Sequence, residues 1–69
     1  MMDKKLIFSV FCLESYKQIH QITGKEAYKL FNEYRVFNFI EDYYDVLHTT
    51  GQQFIVEDID KYLNARIVN

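Results

Sequence analysis

The 69-residue chain has no proline and no tryptophan, only two glycines and a single cysteine. Without proline, nothing in the chain forces a helix to kink or stop. One cysteine excludes an internal disulfide framework and any zinc site built on several thiolates. Positive charge is also scarce: eight Lys and Arg stand against ten Asp and Glu, a net charge of −2. That is the wrong sign for a dedicated nucleic-acid binder. Long apolar runs are missing as well. The longest, Leu6 to Leu13, is interrupted by Ser9 and is far short of the roughly 20 residues that span a membrane. The same shortness argues against a signal peptide. A cytoplasmic protein with no membrane and no nucleic-acid partner is expected.

What is present is apolar and aromatic. Hydrophobic residues make up 49% of the chain and aromatic ones 17%, while 26% are charged. This is too hydrophobic for a disordered chain. The length allows one domain, residues 1–69. A chain so short buries only about 60% of the surface its unfolded form exposes. The composition thus offers more apolar surface than one small domain easily covers.

Gly24 and Gly51 cut the sequence into three blocks. The first, residues 3–22, carries Leu6, Val10 and Leu13, with Ile7 and Phe11, at helical spacing. Asp3 is placed to cap it. The run Leu6 to Leu13 is apolar almost all round and would also fit a buried strand, but the polar stretch that follows favours one long helix. Thr23-Gly24-Lys25-Glu26 is a capping-box sequence and opens a second helix over residues 24–34. Ala27, Leu30, Phe31 and Tyr34 form its inner stripe, with Lys25 and Lys29 outside. A third helix is expected over residues 37–48, with Ile40, Tyr43, Tyr44 and Leu47 as its stripe. Gly51 is expected to close it in the left-handed conformation, and residues 52–55 to be extended. A fourth helix over residues 56–67 repeats Ile55, Ile59, Leu63 and Ile67 every four positions. Glu57, Asp58 and Asp60 would fill its first turn and Arg66 its last, as the helix dipole favours. The expected fold is all-α, a small single-domain bundle of about four helices with a long apolar first helix.

Candidate chemistry is sparse. Glu41, Asp45 and His48 share a helix face at i, i+4 and i+7, a spacing that suits either metal ligands or a solvated polar face ending in a dipole-favoured histidine. No further His or Cys completes a known metal motif, so no metal site and no cofactor are assigned. Cys12 lies inside the apolar run, where a thiol behaves as an inert small hydrophobe. Ser9 and Ser15 have no histidine at local spacing, and no catalytic residue is assigned. Lys17, Lys25, Lys29 and Arg35 offer some positive charge near the second helix. The fourth helix, the best geometric candidate for a DNA recognition helix, opens on carboxylates that would repel phosphate. The six tyrosines and six phenylalanines stand out. Phe8, Phe11, Phe31, Phe39 and Phe54 are the better core candidates. Tyrosine suits interfaces, being large, stiff and polar at its tip. Tyr16, Tyr43, Tyr44, Asp45, Asp58 and Tyr62 are accordingly the candidate partner-binding residues, an acidic tyrosine surface that would complement a basic protein.

Four stretches also carry a family resemblance: Phe8-Ser9-Val10-Phe11-Cys12-Leu13-Glu14-Ser15-Tyr16-Lys17, Thr23-Gly24-Lys25-Glu26, Tyr43-Tyr44-Asp45-Val46-Leu47-His48-Thr49-Thr50-Gly51 and Val56-Glu57-Asp58-Ile59-Asp60. In order and spacing they resemble a family of short uncharacterised bacterial proteins classed as a domain of unknown function. Such proteins are often encoded beside one that resembles an ADP-ribosyltransferase toxin. The resemblance implies an antitoxin-like protein that binds and neutralises that enzyme, and brings no catalytic residues with it. Two of these stretches also have a structural explanation, as a helix cap and a helix stop. The alternatives are a self-associating scaffold module, its apolar excess buried in a homodimer, and, behind it, a DNA-binding regulator.

Overall fold

A computed structural model describes residues 3–67. They form five helices: α1 (Lys4–His20), α2 (Gly24–Glu33), α3 (Val36–Asp42), α4 (Tyr44–Leu47) and α5 (Gln52–Ile67). The fold is all-α, as expected, with α1 packed on α2, α3 and α5, and α3 packed on α2 and α5. The expected helix starts hold at two places. Asp3 accepts the amide of Lys5 at 3.0 Å. The capping box is complete: the Glu26 amide donates to Thr23 Oγ1 at 3.1 Å, and the Thr23 amide to Glu26 Oε1 at 3.3 Å. Helix α1 closes without glycine. Gln21 adopts φ 53°, its amide donating to Gln18 and the next one, of Ile22, to Lys17, which is a Schellman ending.

Three expectations about the second half change. The third helix is two helices, broken at Tyr43 (φ −108°, ψ 20°). On one straight helix Tyr43 would share the face of Ile40 and Leu47. With the break, Ile40 and Leu47 are buried and Tyr43 is 54% exposed. Next, Gly51 does not close a helix in the left-handed region, since no glycine has positive φ. It stands at the head of α5, its carbonyl accepting the amide of Ile55 at 3.0 Å. Side chains provide the stop instead. Nδ1 of His48 meets the Tyr44 carbonyl at 2.6 Å, and so carries the proton, while Thr49 and Thr50 hydroxyls donate to Val46 and Leu47 at 2.8 Å each. Finally, residues 52–55 are helical rather than extended. Because α5 begins a turn early, Glu57, Asp58 and Asp60 lie beyond its first turn, and their dipole stabilisation is lost.

The core gathers Cys12, Ala27, Phe31, Val36, Ile40, Ile55, Val56, Ile59 and Leu63, with Tyr16. Of the phenylalanines expected inside, only Phe31 is fully buried. Phe8 and Phe39 are half-buried, and Phe11 and Phe54 are exposed. The reason lies in how α1 faces the core. It turns Ser9, Cys12, Ser15 and Tyr16 inward, and α5 packs against it with Ile55, Val56, Ile59 and Leu63. Branched side chains on one helix meet small ones on the other, and the space is filled. Tyr16, and in part Phe8 and Leu13, also pack into the core, while Leu6, Ile7, Val10 and Phe11 turn outward.

Candidate partner-binding surfaces

Two surfaces stand out. The first is a row of rings across α3 and α5. Tyr43 lies 5.1 Å from Phe39, and Phe39 lies 4.5 Å from Tyr62, ring centre to ring centre. The Arg66 guanidinium sits 3.7 Å over the Tyr62 ring, a cation–π contact. Tyr62 is held in place from below. Its hydroxyl donates to the carbonyl of Tyr34 at 2.8 Å and reaches that of Arg35 at 3.2 Å, at the bend where Arg35 takes φ 56°. A shallow depression of about 430 Å³ opens over this row, edged by Asn38, Asp42 and Tyr43. Beside it, α4 exposes Asp45 and leaves Val46 63% exposed.

The candidate residues divide on this frame. Tyr43 and Asp45 are exposed, and Tyr62 and Asp58 lie half-buried one turn apart on α5. Tyr44 serves the fold. It meets Phe8 edge-on at 5.4 Å and stacks flat on His48 at 4.5 Å. Tyr16 is a core residue, 6% exposed, packed against Phe31 and His20. Burial, and then the charge of Asp60, push its hydroxyl pKa up. So placed, Tyr16 has almost no surface to offer a partner. Nor do Glu41, Asp45 and His48 come together as a metal-binding group; none of three or more such residues occurs among the described residues.

The second surface is the outer face of α1, with no counterpart among the candidate residues. Leu6, Ile7, Val10 and Phe11 are each between 47% and 54% exposed. Leu6 and Val10 also form one wall of an open apolar groove of about 520 Å³, whose other wall is Tyr28 of α2 and Phe37 and Glu41 of α3. The sequence signal was the apolar run itself, uniform around the helix, which could not say which side faces in. Also missed was the ion-pair position between His20 and Asp60, with Nε2 at 2.9 and 3.1 Å from the two carboxylate oxygens. The pair ties α1 to α5 across forty residues of sequence, and no local pattern announces it.

A model of the family DUF3791, described as a protein of unknown function, matches residues 7–66. The chain belongs to that family. No helix among the described residues is long and apolar enough to cross a membrane. No curated protein and no solved structure matches the chain.

Proposed function

We propose that this DUF3791 protein is a protein-binding module that neutralises an ADP-ribosyltransferase-like toxin by covering its active cleft. The resemblance described above supplies the identity of the partner. The observation that carries the binding reading is the α3–α4 corner, where Tyr43 and Val46 stand more than half exposed among Glu41, Asp42 and Asp45. Apolar anchors beside carboxylates suit a basic, partly apolar surface. A cleft that holds the phosphates of a dinucleotide is such a surface, because phosphates are held by arginine and lysine. The mechanism is steric. The corner occupies the cleft, its carboxylates meet the phosphate-binding cations, and nucleotide cannot enter.

The test is to mix the purified chain with an ADP-ribosyltransferase-like protein from the same genome, and to measure both affinity and inhibition of NAD hydrolysis. Tight binding with loss of activity is expected. Tyr43→Ala and Asp45→Lys should each weaken binding at least tenfold while circular dichroism stays helical, since both residues are exposed. Absence of binding by the wild-type chain, or binding without inhibition, would sink the proposal.

A further inference from the structure

We infer that a second copy of this chain covers the outer face of α1, the two α1 helices running antiparallel across a twofold axis. This goes beyond the toxin proposal and does not rest on it, since it uses a different surface. Two observations carry it. The first is area. The chain exposes 5126 Å², whereas a monomeric protein of 8.4 kDa exposes about 4600 Å². The excess of roughly a tenth coexists with four large apolar residues on one helix face. Stable interfaces take about 800 Å² from each partner, and Leu6, Ile7, Val10 and Phe11 are four of the ten large hydrophobics exposed among the described residues.

The second observation is the order of charges on that face. Lys4, Ile7, Phe11 and Glu14 follow one another at intervals of three, four and three residues, the spacing of a helix–helix seam. The apolar pair is in the middle, and the two ends carry opposite signs. Laid antiparallel about a dyad midway along this row, Ile7 of each copy meets Phe11 of the other. Lys4 of each copy then meets Glu14 of the other, twice over. A parallel arrangement would set Lys4 against Lys4 and Glu14 against Glu14. Both ends are exposed and free to adjust: Glu14 is 51% exposed and its bond to Lys17, at 2.8 Å, is a surface pair worth little by itself. Val10 borders the seam on the side of the groove.

Sedimentation equilibrium of the full chain at tens of micromolar should return twice the chain mass. Ile7→Glu, in the middle of the seam and half exposed, should shift it to the monomer at the same concentration, with helicity unchanged. Lys4→Glu and Glu14→Lys should each weaken dimerisation severalfold, and the double variant should recover most of the loss, because the swapped pair again has opposite signs. Tyr43→Ala should remain dimeric, so a failed toxin proposal leaves this result intact. A monomeric wild-type chain at these concentrations overturns the inference. So does a dimer indifferent to Ile7→Glu, or a double charge swap no better than the single ones.

Discussion

Helices α1 and α5 are almost equal in length, 17 and 16 residues, and lie against each other, yet they divide their side chains in opposite ways. Helix α5 turns Ile55, Val56, Ile59 and Leu63 inward and exposes Glu57 and Lys61 between them, with Phe54 and Ile67 exposed only at its two ends. Helix α1 turns two serines, a cysteine and a tyrosine inward and exposes Leu6, Ile7, Val10 and Phe11. Folding one copy accounts for the middle of α5 but not for the outer face of α1. Half-exposed leucine and phenylalanine gain little from folding alone. The difference separates residues that hold the fold from residues that remain available to something else.

The largest expected effect tests that division directly. Ile59 is fully buried, so Ile59→Ala should cost about 2–5 kcal/mol, a large share of what so small a domain has. Phe11→Ala removes a larger side chain from α1, yet should cost the isolated monomer less than about 1 kcal/mol, since surface changes usually do. Urea unfolding at low chain concentration measures both. In a dimer the cost of Phe11→Ala should grow with chain concentration, since association stabilises the folded form by mass action. Equal costs for the two variants in the monomer would erase the distinction between the helices.

The second effect is smaller and concerns the seam between the two helices. Cys12 is fully buried on the inner face of α1, and burial raises its pKa from 9.0 to about 12. The folded chain therefore holds the thiol proton through a range in which the unfolded chain releases it. Below pH 9 the two states bind that proton alike and the full stability is present. As the pH rises from 9 towards 12, the unfolded state is favoured and stability falls. Urea unfolding should show a loss of about 1 kcal/mol from this group between pH 8 and pH 10, and Cys12→Ala should flatten the decline. Thiol reagents at pH 8 should label the native protein only as fast as it opens. Rapid labelling would mean that α1 and α5 separate readily.

Much of the fold was legible because local chemistry and tertiary packing agree there. The capping box at Thr23, the cap at Asp3, the inner stripe of α2 and the repeat Ile55, Ile59 and Leu63 of α5 each draw on neighbours within one turn, although Ile67, the last of that repeat, is exposed. What was hidden depends on distant contacts. The side of α1 that faces inward is chosen by the branched residues of α5, forty positions away. No glycine or proline marks the break at Tyr43, which reconciles burying both Ile40 and Leu47 with leaving Tyr43 in water. The start of α5 was placed late because Gln52, Gln53 and Phe54 carry no apolar period of their own. Among the candidate surface residues, sequence could count tyrosines but not orient them. Tyr16 and Tyr44 are turned towards Phe31 and Phe8 by packing that only the assembled helices provide.

The smallest effect concerns how α1 ends, which fixes the angle at which it meets the rest. Gln21 closes the helix with φ 53° and ψ 48°, in the left-handed region that costs a residue with a Cβ roughly 1–2 kcal/mol. Glycine occupies that region freely but loses more entropy on folding. The two contributions oppose each other, and the strain relieved is the larger. Gln21→Gly should therefore stabilise the chain by about 0.5–1 kcal/mol, read as a higher urea midpoint at unchanged slope. Gln21 is exposed and its backbone amide bond to Gln18 does not involve the side chain, so the substitution leaves that bond in place. Because the ending lies at the far end of α1 from Leu6 and Ile7, the gain should appear equally in monomer and dimer. A midpoint that falls instead would mean that the Gln21 side chain helps hold α1 in place. The orientation of the helix, and with it the apolar face it turns outward, would then depend on more than the α5 side chains beneath it.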